Sequence, residues 1–148
     1  FLCEPVYTHE KPPLDYLNDK SNGNYDVNLS VTLKPKDSNN IYNICNSNMK
    51  YLYWSFKQQL IHHTSTGCNM RPGDLIGSGT ISGPNPNEYG SMLELSWKGT
   101  KPIQIGIDGE RKFINDGDSI NLSGFAQGNG YRIGFGDCEG TILPANDL

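Results

Sequence analysis

Glu94 lies between Leu93 and Leu95, in a stretch from Gly73 to Pro102 that also holds a loop dense in Gly, Pro and Asn. Read as a strand, this segment puts Met92 and Glu94 on one face and Leu93 and Leu95 on the other. A carboxylate in that setting is either a satisfied structural group or a working one, because perturbed carboxylates mark sites only statistically. His62 and His63 invite a metal or catalytic reading. Adjacent helical residues point about 100° apart and cannot share a ligand, so the pair reads as structural. Asp116 and Asp118 come closest to a hard-cation cluster, yet Asp-Gly-Asp is the composition of a turn. Gly128, Gly130, Gly134 and Gly136 resemble a phosphate cradle only superficially. That cradle needs a strand before it and a helix after it, whereas strands are expected on both sides here. No metal ligand is assigned.

These residues need elements to hold them. Tyr25–Leu33 alternates Tyr, Val, Leu, Val, Leu with Asp, Asn, Ser, Thr, the period of a strand with one buried face. Residues 34–40 form a polar turn around Pro35, and Ile41–Ile44 supplies a short partner strand. Asn48–Thr66 reads as one long helix, with an Asn or Ser N-cap, an apolar stripe from Met49 to His63, and Gly67 at the left-handed C-terminal position. Arg71 to Asp74 is a turn. Ile103–Ile107 and Glu110–Ile114 flank Asp108-Gly109 as a two-residue hairpin. Asn115 to Asp118 turns into a strand over Ser119–Phe125, and Tyr131–Phe135 and Thr141–Leu143 complete the set. The expectation is mainly β: seven to nine short strands with one long helix. Residues 1–24, which include His9, form an irregular lead-in docked on a surface outside this stretch. Residues 25–148 form a single domain portion.

Composition limits the function. The chain has 148 residues, enough for one core, and its 17 glycines and 9 prolines suit short strands better than a helical bundle. A net charge of −4 leaves no basic footprint for nucleic acid. No apolar run approaches a membrane span, and the first residues lack a signal peptide's basic and apolar regions. Cys3, Cys45, Cys68 and Cys138 are widely spaced, without a C-x-x-C pair, and read as reduced thiols of an intracellular, cytoplasmic protein. The chain opens on Phe1 without an initiator Met, which fits a fragment, a processed product or a partial gene model.

Three long motifs add a resemblance. SGTISGPNPNEYGSMLELSWKGTKPI resembles the signature segment of the fumarylacetoacetase family. NSNMKYLYWSFKQQLIHHTSTGCNMRPGDLIGSGTIS before it and FAQGNGYRIGFGDCEGTILPA after it do the same, so the likeness runs from about Tyr25 to Ala145. The resemblance implies the C-terminal portion of a catalytic domain, part of that family's mixed β-sandwich roll. It implies a homodimer that hydrolyses a carbon–carbon bond of a diketo acid, with Mg2+ or Ca2+ on the diketone oxygens and a His–Glu pair activating water. On these residues Glu94 matches the carboxylate partner of the catalytic histidine. Thr80 matches the threonine that holds the substrate's carboxylate, with Ser78, Gly79 and Ile81 shaping its loop. The histidine and the acidic metal ligands of the family lie outside this chain.

Two other functions compete with a fumarylacetoacetase portion. One is a non-catalytic binding or dimer-forming relative. The other is a small β-sandwich ligand binder. A chain separated from the rest of its sheet is expected to be marginal or to self-associate.

Overall fold

The computed structural model describes residues 10–18 and 23–146. His9 and Cys3 lie outside them. The chain forms β1 (Val27–Lys34), β2 (Tyr42–Asn48), helix α1 (Phe56–Thr64), the single-turn helix α2 (Met92–Leu95), β3 (Ile103–Gln104), β4 (Glu110–Arg111), β5 (Ser119–Gly128) and β6 (Tyr131–Thr141). Four strands make one antiparallel sheet in the order β2-β1-β5-β6, and β3 and β4 make a small separate ladder. The molecule is mainly β, with open antiparallel sheets and few helices.

The alternation in β1 decides the faces of the sheet. Val27, Leu29, Val31 and Leu33 pair across with Ala126, Gly124, Leu122 and Ile120, so these residues line one apolar face. Asn28, Ser30 and Thr32 face the other way, opposite Phe125, Ser123 and Asn121. Val27, Leu33, Cys45 and Ala126 are buried on the apolar side. α2 lies over the middle of this face above a cavity of about 330 Å³, lined by Val31, Cys45, Met92, Leu95, Ile120 and Leu122.

The expected long helix is broken. Asn48 stays in β2, where its side-chain amide donates to Asp26 Oδ1 at 2.6 Å, and it caps only a 3-10 turn, Met49–Tyr51. The buried Asn24 amide then takes the carbonyl of Leu52, the acceptor that a continuous helix would offer to Phe56. A new start follows at Ser55. Its hydroxyl accepts from Gln58 N at 3.2 Å and Gln58 Oε1 accepts from Ser55 N at 3.0 Å, a complete capping box. The far end behaves as expected, with Gly67 left-handed (φ 85°) beyond Thr64. The 3-10 turn Asp15–Leu17 of the lead-in docks on α1 itself, where Gln58 Nε2 donates to Leu17 O and Tyr16 Oη meets His62 Nδ1 at 2.8 Å.

Other boundaries also move. β2 runs to Asn48 rather than ending at Ile44, and its register against β1 shifts between Val31 and Thr32, where Ile44 is the extra residue of a bulge. Asp108-Gly109 is not a two-residue hairpin. The ladder there is only Ile103↔Arg111 and Gln104↔Glu110, and a 3-10 turn, Gly106–Asp108, fills the connection. Tyr42 Oη, Ser38 Oγ and Asn40 Nδ2 all donate to Asp108 Oδ2, which fixes that longer loop. The Tyr42 hydroxyl and then the Asn40 amide hold the Asp108 carboxyl below its ordinary value. The last two expected strands are one: β6 continues through Thr141, bulged opposite Ser123–Phe125. Among the described residues, six strands therefore replace the seven to nine expected. Gly128 and Gly130 shape the β5–β6 turn, and Gly134 and Gly136 sit at the bulge, in line with the turn-and-bulge reading. Among the described residues Cys45, Cys68 and Cys138 carry free thiols.

Candidate functional site

The expected strand around Glu94 is a helical turn. Ser91 is extended (φ −138°, ψ 151°), and its hydroxyl accepts the backbone N–H of Glu94 at 3.3 Å, so α2 begins immediately after it. Ser91-Met-Leu-Glu94 is the S-x-x-E spacing of a capping box, a signal present in the sequence but overridden there by the apolar alternation. In a helix Met92 and Glu94 no longer share a face. Met92 and Leu95 line the sheet-side cavity, while Glu94 is exposed.

Two hydroxyls hold the Glu94 carboxylate. Ser82 Oγ lies 2.8 Å from Oε2 and 3.0 Å from Oε1, one hydroxyl proton shared over both oxygens. Ser91 Oγ donates to Oε2 at 2.9 Å. Ser82 is itself oriented, because it accepts the backbone N–H of Gly90 at 3.1 Å. Neither serine was singled out from the sequence. Ser82 precedes Glu94 by 12 residues, outside any local helical or strand period, and the fold brings them together.

The Gly-rich segment before Ser82 is irregular and extended. Gly79 adopts φ 74°, a backbone open to glycine but costly for other residues, and this bend presents Thr80. Ser78 Oγ donates to Gly79 O at 2.9 Å, and Ser47 Oγ of β2 donates to Ile81 O at 2.8 Å, so the neighbours of Thr80 do shape the loop. The segment lies directly on Gly90. A Cβ there would sit 2.5 Å from Ile81 O and 2.9 Å from the Thr80 methyl. Thr80 and Glu94 are thus parts of one local assembly, joined through Gly90 and Ser82.

Beside Glu94 opens a cleft of about 570 Å³ walled by Tyr89, Leu93, Trp97 and Lys98. Its floor is strained. Trp97 (φ 49°) and Lys98 (φ 58°) are both left-handed, a conformation costing about 1–3 kcal/mol per residue. Hydrogen bonds hold it there: Lys98 N to Leu93 O at 2.8 Å, Trp97 N to Glu94 O at 3.1 Å, and Gly99 N to the buried Ser96 Oγ at 3.0 Å. Beneath α2, burial pushes the Cys45 thiol up, and the charges of Glu94 and Glu88 push the same way. That thiol is accordingly a poor nucleophile.

The remaining candidates stay apart. His62 and His63 are exposed on α1, and His62 is engaged by Tyr16. Asp116 is exposed, while Asp118 is fully buried against Arg111, so Asp-Gly-Asp is a turn with a buried ion pair. Among the described residues no group of three or more His, Cys, Asp or Glu side chains is placed to hold a metal ion. No described helix is long and apolar enough to cross a membrane.

Chemically, the assembly offers an oriented, water-exposed carboxylate lining an apolar-walled cleft, tied through Ser82 to the loop that bears Thr80. Residues 14–143 match the family described as fumarylacetoacetate (FAA) hydrolase C-terminal. The chain is 55% identical over 148 residues to fumarylacetoacetase of Dictyostelium discoideum, covering 99% of this chain and 34% of that protein. It is 57% identical over 133 residues to the Homo sapiens fumarylacetoacetase, covering 90% of this chain and 32% of that one. With the Arabidopsis thaliana fumarylacetoacetase it shares 49% identity over 136 residues. The chain spans about a third of the length of these relatives.

Proposed function

The chain belongs to the fumarylacetoacetate hydrolase family, matching its C-terminal part, and from that premise we propose that it serves as the C-terminal portion of a fumarylacetoacetase. The reaction is hydrolysis of fumarylacetoacetate to fumarate and acetoacetate, the last step of tyrosine and phenylalanine breakdown. Water adds to a carbonyl of the β-diketone, the adjacent carbon–carbon bond breaks, and its electron pair leaves as an enolate that takes up a proton. In this reading the chain is part of a mixed β-sandwich roll in a homodimeric, cytoplasmic enzyme.

The observation that carries the proposal is the Glu94 carboxylate, fixed by two serine hydroxyls yet exposed. An oriented carboxylate with accepting capacity left over suits a histidine supplied by the remainder of the enzyme. It would hold that imidazole in one tautomer and stabilise the imidazolium formed when water gives up its proton. Thr80, two residues before Ser82 on the same loop, would donate to the substrate's carboxylate. A divalent metal, Mg2+ or Ca2+, held by ligands from the remainder of the enzyme, would supply charge stabilisation for the diketone.

The test is a hybrid enzyme in which this chain replaces the matching third of the Dictyostelium discoideum relative. Loss of fumarylacetoacetate absorbance is followed with Mg2+ or Ca2+ present. The hybrid should turn over, and Glu94→Gln should lower kcat at least about a hundredfold, the usual scale of general acid–base help. An inactive but folded hybrid would favour a non-catalytic binding or dimer-forming relative.

A further inference from the structure

We propose that Ser82 is a positioning residue of the reaction, acting through Glu94, a role that rests on the catalytic reading of Glu94 above. Among the described residues Ser82 is the one hydroxyl that reaches both carboxylate oxygens, at 2.8 and 3.0 Å. Its own orientation is not left to a rotor. The Gly90 N–H occupies one lone pair of Ser82 Oγ at 3.1 Å, so its proton is directed at Glu94. Ser91 differs in kind. Its hydroxyl both caps α2 and binds Oε2, so helix and site are lost together when it changes. Ser82 belongs to no helix or strand, and among the described residues its hydroxyl bonds to Gly90 and Glu94.

The arrangement works as a two-point clamp. With Ser82 and Ser91 on one side, the exposed lone pairs of the carboxylate are turned toward solvent and toward whatever donor docks there. Without Ser82 the carboxylate keeps a single tether at Oε2 and swings about it. Gly90 is what lets the clamp close, since any side chain there would push Ile81 and Thr80 away and carry Ser82 with them. The 80–82 segment therefore places the substrate-binding threonine and the carboxylate's clamp with one strip of backbone.

Hydrogen bonds to a charged group are strong enough to matter for a rate. In the hybrid enzyme, Ser82→Ala should lower kcat about ten- to a hundredfold with KM within about twofold of the parent. Ser82→Thr keeps the hydroxyl and should return most of kcat. A purely structural serine would instead lower the amount of folded enzyme, or shift KM and kcat together, and Thr would not rescue selectively. Parental kcat in Ser82→Ala, alongside an inactive Glu94→Gln, overturns the proposal and leaves the catalytic reading of Glu94 intact. Full activity in Glu94→Gln overturns both. A crystal structure of the hybrid carrying Ser82→Ala is independent of turnover: the Glu94 carboxylate should leave its parental position, and an unmoved carboxylate would overturn the clamp.

Discussion

Asp118 holds its charge where solvent does not reach, gripped by Arg111 Nε at 2.9 Å and Nη2 at 3.0 Å and capped by the Asn115 N–H at 2.9 Å. Burial alone would push this carboxyl up. The Arg111 guanidinium, the Asn115 and Lys36 N–H groups and the opposite charge outweigh it, and the group titrates below its ordinary value. In turn the Asp118 carboxylate holds Arg111 above its own. A carboxyl lowered by folding stabilises the native state above its unfolded value of about 3.9, and that contribution is lost as pH falls through the folded value. Asp118→Asn should therefore cost about 3 kcal/mol at neutral pH, read from urea unfolding, and should flatten the acid limb of stability. An unchanged midpoint would show that the pair adds nothing. At this scale the sequence was only partly legible. Asp-Gly-Asp announced its turn, and long motifs pointed to Glu94 and Thr80. Ser82 was hidden because its role depends on a fold-back between two segments that no local period encodes.

Elements were legible where one physical signal acted alone. β1 could be read directly, since its alternation met no competing hydrogen bond. The segment from Asn48 to Thr66 carried a helical stripe, but Asn24 takes the Leu52 carbonyl and Ser55 with Gln58 offers a better start, so tertiary partners shortened it. Around Glu94 the apolar alternation and the S-x-x-E spacing competed, and the helical turn prevailed with Ser91 Oγ accepting the Glu94 N–H. The tightest constraint on that turn is Gly90. Gly90→Ala would drive a Cβ to 2.5 Å from Ile81 O, a backbone atom that cannot rotate aside. It should cost about 1–3 kcal/mol of stability, and in the hybrid it should reduce kcat at least as far as Ser82→Ala. Parental activity and stability would mean that the two segments part without consequence.

At the scale of the molecule, many large apolar side chains of the described residues stand exposed. Leu122 on the apolar face of the sheet is 50% exposed, Phe135 is 65% exposed, and β2 and β6 are both sheet edges. Leu75, in the irregular segment before Gly79, is 98% exposed. Unpaired edges and an uncovered face favour association, so the isolated chain should sediment above its 16.4 kDa monomer mass as concentration rises. A compact monomer across that range would count against it. The mainly β character was readable from composition and alternation; the antiparallel strand order was not, because β1 pairs with β5 from the far end of the chain. That pairing also imposes an order in time. At roughly 5–20 residues per second, a ribosome would deliver β5 on the order of several seconds or more after β1. In that interval the β1–β2 hairpin is without its central neighbour. The residues that clamp Glu94, from Thr80 to Glu94, are made within the same interval. Their contacts are short in sequence, so the cradle of the carboxylate can close before the sheet beneath it is complete.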